Sequence, residues 1–162
     1  KQKTAYDLET CMYMGAEKMP DGTLKGFMDY TPEEIMNKSI FSIKQDITLL
    51  SNNIVNLGGK KIREIFDKKG ITVADIDHFL PHISSNYFKD KIYDLIESFG
   101  GGIPYEKWFI NLYTVGNVGA ASIFLMVNEL FHSGRLKKGE ELLLLVPESA
   151  RFSYMYAMLT VC

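Results

Sequence analysis

Two polar residues, His82 and Asn117, stand where their side chains could share one chemical task. His82 directly follows a short apolar run that ends at Pro81, and Asn117 lies between another apolar run and an amphipathic segment. Each side chain can donate an N–H group, and two donors aimed at one oxygen stabilise negative charge developing on a carbonyl. Each also has a plainer interpretation, because His82 could be an ordinary loop histidine and Asn117 could be a helix N-cap.

The remaining histidines and the two cysteines offer less chemistry. His78 falls inside a predicted strand, and His132 lies near a predicted helix C-terminus, where a cation is favourable for structural reasons. Cys11 falls in a predicted strand and Cys162 directly follows an apolar run, so we expect both to be small buried apolar residues. Two cysteines alone build neither a disulfide framework nor a zinc site, and no metal site is predicted.

The composition is that of an ordinary globular domain. The chain has 162 residues, of which 46% are hydrophobic and 23% charged, which predicts one domain over residues 1–162. A total of 18 Lys and Arg against 20 Asp and Glu gives a net charge of -2, which argues against a nucleic-acid partner. No apolar run approaches the roughly 20 residues needed to cross a bilayer, and no signal peptide is visible. We therefore expect a soluble, cytoplasmic protein with no membrane partner.

Alternating strands and helices must position the two polar residues. The pattern predicts the order β-α-β-α-β-α-β-β, with strands over 6–16, 76–80, 108–113, 142–146 and 152–159. The longest helix carries an apolar stripe from Ile40 to Phe66 and ends at Gly70. Strands separated by helices pair in parallel and the last two pair antiparallel, so the predicted fold class is α/β, three layers with a mixed five-stranded sheet and helices on both faces. His82 and Asn117 then come together at the carboxyl edge of the parallel strands.

Three short segments then resemble a known family. Residues 80–82 read Leu-Pro-His, residues 116–122 read Gly-Asn-Val-Gly-Ala-Ala-Ser, and residues 134–139 read Gly-Arg-Leu-Lys-Lys-Gly. In this order and spacing they resemble the C-terminal half of the β-ketoacyl-ACP synthase III family, which carries Pro-His-Gln-Ala-Asn, Gly-Asn-Thr-Ser-Ala-Ala-Ser and Asp-Gly-Arg-Ile-Lys-Pro-Gly. The resemblance covers most of the chain and implies the C-terminal, thiolase-like half of the family fold, whose element order matches the one predicted.

The resemblance implies a decarboxylating Claisen condensation. Acyl-CoA and malonyl-ACP would be the substrates, with no covalently bound cofactor, and His82 and Asn117 match the pair that hydrogen-bonds the malonyl thioester carbonyl. The family's nucleophilic cysteine belongs to the N-terminal half, and neither Cys11 nor Cys162 matches it. The chain therefore resembles half an enzyme, inactive alone, whose partners would be the N-terminal half, an acyl carrier protein and, in the full-length protein, a second copy.

The chain departs from the family pattern where substrates would bind. Glu148, Ser149 and Arg151 stand where the family has a Phe-Gly-Gly-Gly loop, and they could form an internal salt-bridged turn or contact substrate. Lys89 and Lys91 are candidates for docking the acidic carrier protein, although a solvated helix face explains them equally well. These departures fit a secondary-metabolite ketosynthase about as well as a fatty-acid initiator.

Two alternatives to the synthase III interpretation stay open. A non-catalytic, thiolase-like partner subunit would need only the scaffold, and the presence of both His82 and Asn117 counts against it. A chalcone-synthase-like polyketide synthase would share the superfamily and its chemistry. The start at Lys1 and the end at Cys162 directly after an apolar run fit a truncated piece, so we expect an exposed apolar helix face and self-association through it.

Overall fold

The computed structural model describes residues 11–162, and the helices and strands are named here in chain order. The five α-helices of this part of the chain are α1 (Pro32–Asn37), α2 (Ile47–Lys69), α3 (Lys89–Glu97), α4 (Leu112–Val115) and α5 (Ser122–His132). Its strands are β1 (Met12–Tyr13), β2 (Ala16–Lys18), β3 (Leu24–Gly26), β4 (Lys44–Gln45), β5 (His78–Pro81), β6 (Glu141–Glu148) and β7 (Ser153–Thr160). No helix within residues 11–162 is both long and apolar enough to cross a membrane.

The main sheet has the strand order β5-β6-β7. β5 and β6 run parallel, with His78 opposite Leu142 and Pro81 opposite Leu145, whereas β6 and β7 run antiparallel. Both directions agree with the sequence prediction. The parallel pair needs a crossover connection, and the chain between its strands supplies α3, α4 and α5.

Apolar side chains on both faces of β6 bury the sheet between two helical layers. Leu143 and Leu145 belong to the cluster that includes residues of α2 and α3. Leu142 and Leu144, on the opposite face, pack with Ile123, Met126 and Leu130 of α5. A strand buried on both faces reads as a continuous aliphatic run, as β6 does. The three-layer α/β fold class is confirmed.

The predicted five-stranded sheet is wrong for the described residues, which contribute three strands to the main sheet. The predicted strand 108–113 is reduced to one parallel bridge between Trp108 and Phe79, and α4 follows it. Trp108 is buried, and its indole N–H donates to the Ile103 carbonyl at 2.7 Å. The buried N–H group therefore has a hydrogen-bond partner although the residue belongs to no strand. The predicted strand 6–16 lies partly outside the described residues, and β1 and β2 pair only with β4 and β3.

The long helix begins later than its apolar stripe predicts. Asp46 is the N-cap, because its carboxylate accepts the N–H of Leu49 at 2.9 Å. Ile40 is buried but precedes the helix, and Ile43 is 70% exposed. The C-terminus is as predicted, since Gly70 adopts the left-handed conformation with φ of 66° and closes α2.

Candidate functional site

His82 is fixed at the carboxyl end of the parallel pair. Its backbone N–H donates to the Leu145 carbonyl at 2.8 Å, which extends the pairing one residue beyond β5. The side chain is half-buried, and removal from water lowers the pKa of the imidazole from its ordinary value of 6.5. At neutral pH the ring is therefore uncharged and carries one N–H donor.

Asn117 is placed by the loop that leads into α5. Gly116 and Gly119 flank it with φ values of 80° and 62°, a region of backbone conformation that favours glycine. The Asn117 side-chain oxygen accepts the N–H of Gly119 at 3.1 Å, and the Val118 N–H donates to the Ser122 hydroxyl at 3.2 Å. The amide oxygen is thus used locally, which leaves the amide NH₂ group as the donor end.

One cavity of about 430 Å³ brings His82 and Asn117 together. α5 packs against β5 through Leu80, and Gly119 and Ala120, which directly precede α5, line the same cavity as His82. Both side chains line the cavity, as do Glu148 and Ser149. Two side chains that can donate N–H groups therefore border one partly open cavity.

Glu148 closes the turn between β6 and β7. Its carboxylate accepts the backbone N–H of Ala150 at 2.5 Å and that of Arg151 at 3.1 Å. Among the described residues no ion pair joins Glu148 to the Arg151 guanidinium, so the internal turn that the sequence suggested is held by backbone donors. Arg151 is exposed and does not line the cavity, whereas Ser149 does.

The two candidate docking lysines both lie over aromatic rings. The Lys89 ammonium is 4.6 Å from the ring centroid of Tyr105, and the Lys91 ammonium is 4.6 Å from that of Tyr87. Lys91 is exposed and Lys89 is partly buried. Cation–π contacts of this kind orient the two charges at the start of α3.

The two cysteines have opposite environments. Cys11 is fully buried beside Leu50, Ile54 and Phe152, as expected of a small apolar residue. Burial raises the pKa of its thiol, and the nearby carboxylates of Asp46 and Glu148 raise it further, so the sulfur stays protonated. Cys162 is exposed, because it lies two residues beyond β7 and outside the packed layers, and the expectation that it is buried is wrong.

The lowered pKa of His82 predicts a pH-dependent stability. Above about pH 6.5 the imidazole is neutral in both the folded and the unfolded chain. As the pH falls below that value, the His82 imidazole becomes protonated in the unfolded chain while it stays neutral in the folded chain. The free energy of unfolding therefore decreases. Urea unfolding at a series of pH values should show this loss in the wild type and less of it in His82→Gln. An NMR titration midpoint for His82 at or above 6.5 would contradict the prediction.

Residues 66–150, just over half of the chain, match the family described as 3-oxoacyl-[acyl-carrier-protein (ACP)] synthase III C terminal. The chain belongs to this synthase III family. The matched region contains His82, Asn117 and the two docking candidates Lys89 and Lys91.

Individual proteins similar to this chain include members of the same synthase III family. The chain is 31% identical over 107 residues to beta-ketoacyl-[acyl-carrier-protein] synthase III of Clostridium perfringens, which covers 59% of this chain and 32% of that protein. The crystal structure of 3-oxoacyl-(acyl carrier protein) synthase III, FabH, from Pseudomonas aeruginosa superposes with a TM-score of 0.65 at 18% identity, covering 94% of this chain and 44% of that one. AbyA1, a tetronic acid condensing enzyme, gives a TM-score of 0.66 at 17% identity, covering 96% and 42%. The chain thus spans less than half the length of these relatives.

Other cavity residues of this synthase III chain were not singled out from the sequence as site residues. α2 contributes Ile54 and Gly58, α3 contributes Leu95, and β7 contributes Tyr154 and Tyr156. Two signals in the sequence could have found some of them, namely the Gly58-Gly59 pair inside the apolar stripe of the long helix and the alternation of Tyr154 and Tyr156 along the last strand. Neither signal says which other element each residue faces.

Proposed function

We propose that this chain supplies the oxyanion donors for a decarboxylating Claisen condensation in a 3-oxoacyl-ACP synthase III-like acyltransferase. The observation that carries the proposal is that His82 and Asn117 line one cavity at the carboxyl edge of the parallel strands. The substrates would be an acyl-CoA and malonyl-ACP, in fatty-acid or secondary-metabolite synthesis.

The chemistry needs those donors at one step. When the malonyl thioester loses its carboxylate as carbon dioxide, the electron pair of the broken carbon–carbon bond moves into an enolate, and the charge falls on the thioester oxygen. Hydrogen bonds from the neutral His82 imidazole and the Asn117 amide would stabilise that oxygen. The enolate carbon then attacks the acyl-cysteine carbonyl, a carbon–carbon bond forms, and the cysteine thiolate leaves. The proposal places that cysteine in an N-terminal half, as the resemblance to the family implies, and this half is the partner that the proposal requires.

An exposed apolar surface supports the need for such a partner. On α5, Phe124 is 74% exposed and Phe131 is 68% exposed, and Met155 and Leu159 of β7 line the groove beside them. Exposed apolar surfaces of this kind mark interaction sites. We assign this surface to contact with the N-terminal half, with the carrier protein received near Lys89 and Lys91 and a second full-length copy completing a homodimer.

Replacing Asn117 by aspartate separates its proposed role from that of a simple cap. Aspartate keeps an oxygen that accepts the Gly119 N–H, but it has no N–H to donate and adds a negative charge. In the complete enzyme we expect malonyl decarboxylation to fall about a hundredfold while acyl transfer from acyl-CoA to the cysteine is retained. Single-turnover assays with radiolabelled malonyl-ACP and acyl-CoA measure the two steps separately.

Asn52→Asp, at an exposed position of α2 that does not line the cavity, is the matched control and should leave both steps unchanged. Wild-type decarboxylation in Asn117→Asp would refute the donor role and leave Asn117 as a cap. A non-catalytic scaffold subunit would show no decarboxylation in any variant. Equal turnover with malonyl-CoA and malonyl-ACP would favour a chalcone-synthase-like enzyme.

A further inference from the structure

The loop that carries Asn117 is open to solvent. Residues 113–121, which run from within α4 to the start of α5, are all exposed. Two of them, Gly116 and Gly119, lack the Cβ atom that restricts the backbone of other residues. Packing does little to fix an exposed segment of this kind, so the position of Asn117 depends on hydrogen bonds.

Buried polar residues hold both ends of this loop. Among the described residues the buried polar ones are His78, Asn111 and Ser122, so two of the three flank the exposed segment. The Asn111 amide donates to the Glu129 carboxylate of α5 at 2.7 Å, and its backbone carbonyl accepts two N–H groups of α4. A buried polar group costs free energy unless it is hydrogen-bonded. The bonds that Asn111 makes tie α4, on one side of the loop, to α5.

The Ser122 hydroxyl holds the loop and not its own helix. A serine that caps a helix accepts an N–H group two or three residues further along the chain. Ser122 is instead the first residue of α5, and its hydroxyl accepts the N–H of Val118, four residues earlier, at 3.2 Å. Ser122 is only 4% exposed, so little water competes for its hydroxyl.

Two hydrogen bonds together fix the residue between them. A peptide group is planar, so the bond from the Val118 N–H to Ser122 fixes the orientation of the peptide that links Asn117 to Val118. The Asn117 side-chain oxygen separately accepts the Gly119 N–H at 3.1 Å. The backbone and the side chain of Asn117 are thus each held by one bond, and its amide NH₂ group is the end that can donate.

We propose that Ser122 is a positioning residue that holds the Asn117 amide at the cavity beside His82. The inference rests on the proposed function, because that function requires Asn117 to donate to the thioester oxygen. Donors that are fixed before the reaction stabilise developing charge without first having to reorganise. Without the Ser122 hydroxyl the peptide after Asn117 can rotate, so the amide spends only part of its time in the productive position.

Replacing Ser122 with alanine in the complete enzyme is expected to slow malonyl decarboxylation about three- to tenfold, the usual effect of one hydrogen bond between uncharged groups. Acyl transfer to the cysteine should be unchanged, and single-turnover assays measure both steps. Ser122→Thr keeps the hydroxyl and should recover most of the rate. Ser133→Ala is the matched control, because the Ser133 hydroxyl accepts the Arg135 N–H beyond the other end of α5, and both steps should be unchanged.

A double-mutant comparison separates positioning from a general structural role. If Ser122 acts through Asn117, Ser122→Ala should cause no further loss of decarboxylation in the Asn117→Asp variant. The same fold loss in both backgrounds would overturn the proposal. An equal loss of decarboxylation and acyl transfer in Ser122→Ala would also overturn it, because that is the result of a smaller folded fraction.

Amide hydrogen exchange followed by NMR tests the bond itself in the 162-residue chain. The Val118 amide of the wild type should exchange more slowly than in an unstructured peptide, and Ser122→Ala should speed its exchange about three- to tenfold. An unprotected Val118 amide in the wild type would overturn the proposal whether or not the variant folds.

The outcomes distinguish this inference from the proposed function. A slow Asn117→Asp variant beside a Ser122→Ala variant with the normal rate would retain the donor role of Asn117 and overturn only the role of Ser122. Normal decarboxylation in Asn117→Asp would reject the donor role itself, and a Val118 amide still protected by Ser122 would then be a structural feature without a catalytic consequence.

Discussion

Replacing His82 with alanine is expected to slow malonyl decarboxylation by about 10²–10³-fold in the complete condensing enzyme, while acyl transfer to the cysteine persists. Losing one preformed donor to a developing oxyanion costs about this much. The loss should be at the upper end for His82, because its ring is half-buried and its backbone is held by the bond to Leu145. Burial keeps the pKa of the imidazole low, so wild-type decarboxylation should not require protonation of His82 at neutral pH.

Two further variants define what His82 contributes. His82→Gln keeps an N–H donor without an imidazole and should recover part of the lost rate. His132→Ala is the histidine control, because His132 is exposed near the end of α5 and does not line the cavity. Its ring hydrogen-bonds the Asn128 carbonyl and packs edge-on against Phe131. Loss of acylation with normal decarboxylation in His82→Ala would refute the donor role.

Replacing Phe79 with alanine is expected to lower the free energy of unfolding by about 3–5 kcal/mol, which is typical of removing a fully buried aromatic side chain. Phe79 is completely buried in the cluster between the sheet and the α2–α3 layer. Its ring meets Trp108 edge-on, with centroids 4.8 Å apart, so the variant leaves a void beside a second large ring. Such a loss is a large fraction of the stability of an ordinary domain. Urea unfolding monitored by circular dichroism measures it.

Phe124→Ala is the matched control for Phe79→Ala. The Phe124 side chain is 74% exposed on α5, so its truncation to alanine should change the free energy of unfolding of this chain by no more than about 0.5 kcal/mol. Similar losses in the two variants would mean that Phe79 does not occupy the core described here.

The sequence predicted the positions of the candidate donors better than the shape of their surroundings. His82 and Asn117 were expected at one sheet edge, and they line one cavity there, because parallel strands place their carboxyl ends together. Arg151 was grouped with Glu148 and Ser149 because all three stand where the family has its Phe-Gly-Gly-Gly loop. The turn separates it from the cavity, since the Glu148 carboxylate is used to hold backbone N–H groups.

The sequence alone determined those strands and helix ends that depend on neighbouring residues. The aliphatic run of β6 and the left-handed Gly70 that ends α2 were readable in this way, since burial on both faces and a glycine C-cap leave traces in adjacent residues. The tertiary structure decided the features that depend on distant partners. It reduced 108–113 to a single bridge, because Trp108 finds its partners in Phe79 and Ile103. It also explains why residues 58 and 59 are glycines, because side-chain atoms of β7 and α3, which are distant in the sequence, leave no room for a Cβ atom at either position.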